Sequence, residues 1–238
     1  MTRLGWALAL GVALATTALG CFQGLQQGAA VASEGRVCAK LVEIEQKDGN
    51  KTQRPQTTIE LVLHGDRLRD EGLYLNATAA FGRGSSQMFG ALDCYGRALA
   101  LAPEHYGANL GLGVTYLALA KQLDEKPESE RVRSMLQSAK KSLARAYALR
   151  RGHFEPVFYL AEIAAFEEDY QRARGYIEAI QKAGTTKLGP VEALLGSIAE
   201  RQGNKEEAKQ HYEAAFRSGG PVETLYWVSQ KVKINLKN

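Results

Sequence analysis

Four histidines, His64, His105, His153 and His211, and three cysteines, Cys21, Cys38 and Cys94, are the side chains best suited to hold a metal or move a proton. Zinc sites in sequence show ligands at short spacings, a histidine four residues from another or cysteines two to four apart. None of these histidines has a histidine at i+4 or a cysteine close by. Gly82 and Gly84 begin a phosphate-loop pattern that Gln87 does not complete, and Gly111 and Gly113 read as helix glycines. The acidic runs Glu167–Asp169 and Glu206–Glu207 suit helix starts, where carboxylates meet the positive end of the dipole. No nucleophile–base constellation emerges, so the expectation is a non-enzymatic protein with no catalytic residue, no metal and no cofactor.

One cysteine does carry a chemical expectation. Arg3 precedes an uncharged stretch of sixteen residues, Gly5–Gly20, which ends at Cys21. A cationic start followed by an apolar run is the layout of a secretory leader, and it is short of the roughly 20 residues that span a bilayer. "ALGC" at Ala18–Cys21 resembles a bacterial lipobox, although Ala18 stands where Leu is favoured. That resemblance implies removal of residues 1–20 and acylation of Cys21; an ordinary cut near the small residues Gly28–Ala32, or a span lengthened to Leu25, stays open. Two or more acyl chains anchor stably, whereas one binds only marginally. Phe22, rather than Asp, leans toward the outer membrane over the inner one, so the expected place is the periplasmic face of a bacterial envelope. Cys38 and Cys94 then either pair in an oxidising compartment or remain two isolated thiols. The second is the expectation, since nothing visible in sequence positions Cys38.

With 238 residues, 45% of them hydrophobic and 24% charged, the chain has the composition of a folded domain or an elongated array. The net charge of +4 falls to about +3 without Arg3, and no Lys/Arg run is dense enough for a nucleic-acid surface. Nucleic acid is therefore not an expected partner.

Self-similarity organises the rest. Ala91, Tyr95 and Ala98 follow one another at +4 and +7, and the trio recurs as Ala139, Leu143, Ala146, as Ala173, Ile177, Ile180, and as Ala208, Tyr212, Ala215. Leu112-Gly113, Leu160-Ala161 and Leu195-Gly196 stand upstream of the last three anchors, which follow the first at spacings of 48, 34 and 35. A period of 34 with Leu-Gly, Ala-x3-Tyr-x2-Ala and the closing Pro103 resembles the tetratricopeptide repeat (TPR). Positions i, i+4 and i+7 share one helix face, where small residues admit a neighbouring helix and large ones fill the space between. The expected fold is all-α: a TPR right-handed superhelical solenoid of about four helix pairs plus a capping helix.

The expected organisation is a leader over 1–20, a tether over 21–56 and the solenoid over 57–238. Within it, Thr58–Asp70 and Glu71–Phe81 read as separate helices, Gly82–Ser86 as a turn and Ser86–Leu101 as the helix closing the first unit. Tyr106–Leu123 with Pro127–Arg150, Val157–Ala183 and Val191–Ser218 form the next three units. Leu225, Val228 and Val232 would face inward from a cap, with Lys231, Lys233 and Lys237 outward. The second pair exceeds the period by 14 residues, read as seven extra residues on each helix, about 10 Å apiece.

In TPR folds the first helix of each pair lines a concave groove. The resemblance places Leu110, Val114 and Leu117, then Phe158, Glu162 and Phe166, then Ala193, Ser197 and Arg201 on it. Such a strip suits an amphipathic or extended segment of a partner, although Phe158 and Phe166 equally suit packing against the next unit. The Lys/Asn clamp of chaperone-binding relatives is absent from these places.

"LAEIAAFEEDYQRARGYIEAI" and "EALLGSIAERQGNKEEAKQHYEAAFRSGGP" resemble a narrower group, the outer-membrane pilotin lipoproteins of type IV pilus biogenesis. The likeness rests on Ala161, Ala164, Asp169-Tyr170, Ala173-Arg174 and Tyr176, then Leu194-Leu195-Gly196, Ile198 and Ala199. It implies a lipid-anchored scaffold that helps assemble a secretin or a related pilus or motility machine. The alternative is a periplasmic ligand-binding or transporter-accessory solenoid.

Overall fold

The computed structural model describes Cys38, residues 54–76, 83–123, 125–184 and 188–218, Val228 and Lys231. The leader, Cys21 and the inward and outward cap positions Leu225, Val232, Lys233 and Lys237 lie outside the described residues. Eight α-helices and no strand are present among those described: α1 Arg54–Asn76, α2 Arg83–Leu101, α3 Tyr106–Gln122, α4 Glu130–Leu149, α5 Glu155–Phe166, α6 Tyr170–Lys182, α7 Leu188–Arg201 and α8 Lys205–Ser218. The chain divides into two compact units whose boundary, between Thr115 and Tyr116, falls inside α3.

In the first unit α1 packs on α2, and in the second α4 meets α5, α5 packs on α6, and α7 packs on α8 while touching both α5 and α6. All twelve residues of the repeated trio are buried, none more than 2% exposed. The +4, +7 spacing therefore marks the seam along which each second helix is covered.

Two pairs close through the same three-residue connection. Glu168 takes a left-handed conformation after α5 (φ 62°), and Gly203 does so after α7 (φ 81°). Glu168 N–H reaches the Ala165 carbonyl and Asp169 N–H the Ala164 carbonyl; Gly203 N–H reaches Glu200 and Asn204 N–H Ala199. Both are Schellman closures, satisfying carbonyls that a helix end leaves open. Asp169 then caps α6 by accepting from Arg172 N–H at 3.1 Å. Pro156 sits in the first turn of α5, where its missing N–H costs nothing.

Several boundaries differ from the sequence expectation. Thr58–Asp70 and Glu71–Phe81 are not two helices: α1 runs unbroken for 23 residues to Asn76. Gly72 alone costs only about 1 kcal/mol in a helix, too little to end one. Gly84 to Ser86, read as a turn, belong to α2, whose start tolerates Gly and Ser. The extra length of the second pair is only partly helical. α3 has 17 residues and α4 20, against 12 and 13 in the following pair. The rest is the connection 123–129, which ends in Ser129 capping α4 through Val132 N–H.

The tyrosines of the first and last trios set how closely the helices approach. A Cβ on Gly111 would overlap the Tyr95 ring, one on Gly65 would lie 2.9 Å from it, and one on Gly196 would lie 2.5 Å from the Tyr212 ring. On α3 the close approach to Tyr95 is at Gly111; Gly113 is buried as well. Gly111→Val and Gly196→Val should each lower stability by about 1–3 kcal/mol or more through overpacking. Gly175→Ala, where nothing lies within 4 Å, should raise it by about 0.5–1 kcal/mol. Shifts in the urea midpoint measure all three. The Schellman closures give an opposed pair for the same measurement: Gly203→Ala should cost about 1 kcal/mol, and Glu168→Gly should be stabilising by up to about that amount.

Candidate functional site

The four histidines occupy four different local settings. His105 Nδ1 accepts from Ala108 N–H at 3.2 Å and so caps α3. His153 lies 3.7 Å from Glu155. His211 Nδ1 donates to Glu192 at 2.8 Å, with Glu207 3.8 Å from its other nitrogen. A histidine held by a carboxylate invites a catalytic reading. Glu207 here already accepts from Arg174 at 2.8 Å and from Asn204 at 3.2 Å, a tie between α6 and α8.

His64 is the exception to the sequence expectation. Its ring lies beside Cys38 and Cys94, with one ligand atom from each of the three residues inside a 4.8 Å envelope. The two cysteines are not isolated thiols: Cys38 and Cys94 form a disulfide, Cα atoms 5.4 Å apart, with both residues fully buried. They are 56 residues apart, a separation that hides the pairing from any local reading. The bond closes a loop that on chain entropy is worth about 4 kcal/mol. It fixes Cys38, inside the stretch read as a tether, into the core formed by Leu61, Leu68, Ala91 and Tyr95.

The buried tyrosines each carry their hydroxyl to a carboxylate. Tyr95 donates to Asp66 at 2.6 Å and accepts from Arg69 at 3.1 Å, and Arg69 also holds Asp66 at 2.9 Å. Tyr212 donates to Glu200 at 2.8 Å, and Lys231 reaches the same carboxylate at 2.9 Å. Burial, then the neighbouring carboxylate, pushes the Tyr212 phenol far above its ordinary value. Burial does the same for Tyr95, although the Arg69 cation opposes it. Neither phenol is poised to ionise, so both act as fixed donors.

The groove positions fall into two sets. Leu110 and Val114 belong to the first unit, and Leu117, Phe158, Glu162, Phe166, Ala193, Ser197 and Arg201 to the second. Val114, Leu117 and Ala193 are buried; Leu110, Phe158, Glu162, Phe166 and Ser197 are half-buried; Arg201 is exposed. Phe158 packs against the cluster of Ala161, Ile177 and Ile198, and its ring meets Tyr159 edge-on at 5.5 Å. Glu162 accepts from Lys121 at 3.1 Å, and Lys140 holds Glu167 at 2.7 Å. In the second unit the half-buried rings and the exposed Arg201 are therefore what a partner can reach. Among the described residues, four further large apolar side chains stand in solvent: Ile59 and Leu63 one turn apart on α1, Tyr147 on α4 and Phe216 on α8. Phe216 stands four residues after Tyr212, a spacing that reads as inward, yet it is 56% exposed.

Comparison with solved structures places this architecture. A thermophilic TPR protein of Thermus thermophilus superposes with a TM-score of 0.57 at 16% identity, covering 85% of this chain and 98% of that one. The fold is an all-α tetratricopeptide-repeat solenoid. A TPR protein from Parabacteroides merdae matches more loosely, with a TM-score of 0.38 at 16% identity over 87% of this chain and 84% of that one. No protein-family model matches the chain, and no curated protein matches it by sequence. Among the described residues, no helix is long and apolar enough to cross a membrane.

The ion pair between the last two TPR helix pairs makes acid stability a direct test of their packing. The hydrogen bond from Arg174 holds the Glu207 carboxyl below the ordinary 4.5, against the opposing effect of burial. A lowered folded-state pKa gives stability that is complete above the unfolded value and is lost as pH falls through the folded one. The melting temperature should therefore drop on acidification below pH 4.5. Glu207→Gln should lower it at pH 7 and make its decline below pH 4.5 shallower, as followed by circular dichroism.

Proposed function

We propose that the protein is a non-enzymatic interaction scaffold of the bacterial envelope, anchored through a lipid on Cys21, that captures a segment of a protein partner. The single observation that carries the scaffold reading is the TPR fold itself. Stacked helix pairs present extended surface while burying only their mutual seams. Half-buried Phe158 and Phe166 beside the charged Glu162 and Arg201 suit a segment with an apolar face and charged flanks.

The envelope location is supported by the leader-like residues 1–20 and by a disulfide, which persists where thiols are oxidised. The narrower proposal is a pilotin-like role, helping a secretin subunit or another pilus or motility component assemble at the outer membrane. It rests on the residues of α5 to α8 that resemble those lipoproteins.

Two measurements test these readings separately. Labelled fatty acid should enter the full chain expressed in a bacterium with a lipoprotein pathway, and Cys21→Ser should abolish the label. Unlabelled wild-type protein recovered in the soluble periplasm overturns the anchor. For the partner, brief crosslinking in envelopes of the source organism followed by mass spectrometry should recover a secretin or pilus component. Arg201→Glu together with Phe166→Ala should lose it while keeping the helical signal. Recovery of a solute transporter alone moves the assignment to the transporter-accessory alternative.

A further inference from the structure

The Cys38–Cys94 disulfide lies beside an imidazole that a disulfide does not need. A buried S–S bond carries no charge and makes no strong hydrogen bond, yet His64 brings a ring nitrogen to within 4.8 Å of both sulfurs. Two cysteines and a histidine are a zinc ligand set that leaves a fourth position open. We propose that, when the disulfide is reduced, Cys38, Cys94 and His64 bind one divalent zinc-type ion, so that metal and disulfide are mutually exclusive ways of closing the same loop.

The placement of the three ligands suits such an ion once the reduced sulfurs part. With Zn–S bonds of about 2.3 Å and a Zn–N bond of about 2.0–2.1 Å, tetrahedral angles put the sulfurs about 3.8 Å apart and each about 3.6 Å from the nitrogen. Those separations fit inside the present envelope of 4.8 Å. Cys94 is held on α2, whose trio Ala91, Tyr95 and Ala98 is buried, and His64 is held on α1 between buried Leu61 and Leu68. Two of the three ligands thus stand on packed helices, and the third needs only to separate its sulfur from its neighbour.

The charges also balance. Two thiolates, a neutral imidazole and a divalent cation sum to zero, which suits a site whose two cysteines are fully buried. His64 is half-buried, so solvent can supply the fourth ligand. Arg67 Nη2 donates to His64 Nδ1 at 3.3 Å, a long bond on the exposed side. Zinc-type ions accept either ring nitrogen. Binding through Nε2 moves the imidazole proton to Nδ1 and releases Arg67; binding through Nδ1 displaces Arg67 directly. Either way the Arg67 contact given up is a long, exposed one.

The chemistry has two steps. A dithiol or phosphine reductant gives two electrons to the S–S bond, two protons complete the Cys38 and Cys94 thiols, and the reductant leaves oxidised. The metal ion then replaces both thiol protons, which pass to solvent, and two metal–sulfur bonds and one metal–nitrogen bond form. The neutral imidazole keeps its single proton on the nitrogen that does not bind.

Cobalt(II) serves as the spectroscopic probe. The full chain, reduced with a phosphine under anaerobic conditions and freed of reductant, should bind one equivalent of Co(II). Thiolate-to-metal charge-transfer absorption and intense visible bands of tetrahedral cobalt should appear together and vanish on adding Zn(II). The oxidised chain should show neither. Cys38→Ser with Cys94→Ser removes both thiols and should abolish the bands. His64→Ala leaves the disulfide pair intact and should weaken cobalt binding by more than about tenfold, since even supporting groups of metal ligands contribute that much. Circular dichroism follows the fold throughout, and Zn(II) should raise the melting temperature of the reduced wild-type chain but not of the double serine variant. The proposal is overturned if the reduced chain gives no thiolate–cobalt absorption, or if His64→Ala binds as tightly as wild type. It is equally overturned if the reduced chain loses its helical signal and metal does not restore it.

Discussion

A tyrosine ring seated on glycine governs how the helices meet. At Gly65 and Gly111 around Tyr95, and at Gly196 against Tyr212, the backbone of one helix comes so near the ring that no side chain fits between. The dispersion gained over a whole aromatic face is collected only at this separation. The separation in turn accompanies burial of the alanines of those two trios, Ala91, Ala98, Ala208 and Ala215. A ring that deep would strand its hydroxyl, so each is given a carboxylate: Asp66 for Tyr95 and Glu200 for Tyr212. The carboxylates are in turn held by Arg69 and Lys231. One steric constraint thus fixes a glycine, an aromatic residue, an acid and a base together.

The same logic separates stability from recognition. The seams are occupied by small and apolar residues with no freedom to vary in volume, while charges that tie one helix pair to the next, such as Lys140 to Glu167 and Arg174 to Glu207, stay near solvent. Exposed ion pairs of this kind contribute little individually. Their use is directional: each accepts only one register of one helix against another. Under the proposed scaffold role, what remains for a partner is the part of the surface that neither seam nor ion pair consumes.

The repeat was legible in the sequence because its information is local and periodic. Ala139, Leu143 and Ala146 announce a buried face at +4 and +7 whatever surrounds them, and the structure buries them all. The helix ends were less legible. A boundary between Asp70 and Glu71 and a turn at Gly82–Ser86 were expected, yet α1 runs through the first and α2 includes Gly84–Ser86, tertiary packing outweighing about 1 kcal/mol of propensity. The seating of Gly65 and Gly111 on Tyr95 depends on where that ring points, which spacing does not encode. Least legible was the union of Cys38, His64 and Cys94, since its members come from three segments and share no period. The candidate groove stood between these cases. Its positions follow from the repeat register, but the burial of Val114 and Leu117 and the packing of Phe158 are set by neighbouring helices.

The disulfide also sets a length. Under the proposed anchorage the lipid is on Cys21, and among the described residues the first one held in the helical core is Cys38, about 17 residues later. Whatever path the intervening chain takes, it spans at most about 60 Å at 3.3–3.6 Å per residue. Were Cys38 released, the next described segment is α1, about 33 residues after Cys21, and a chain of that length reaches roughly twice as far. The bond between two sulfurs is in this sense a setting on a leash: it determines how far from the bilayer surface the first unit can search for whatever it binds.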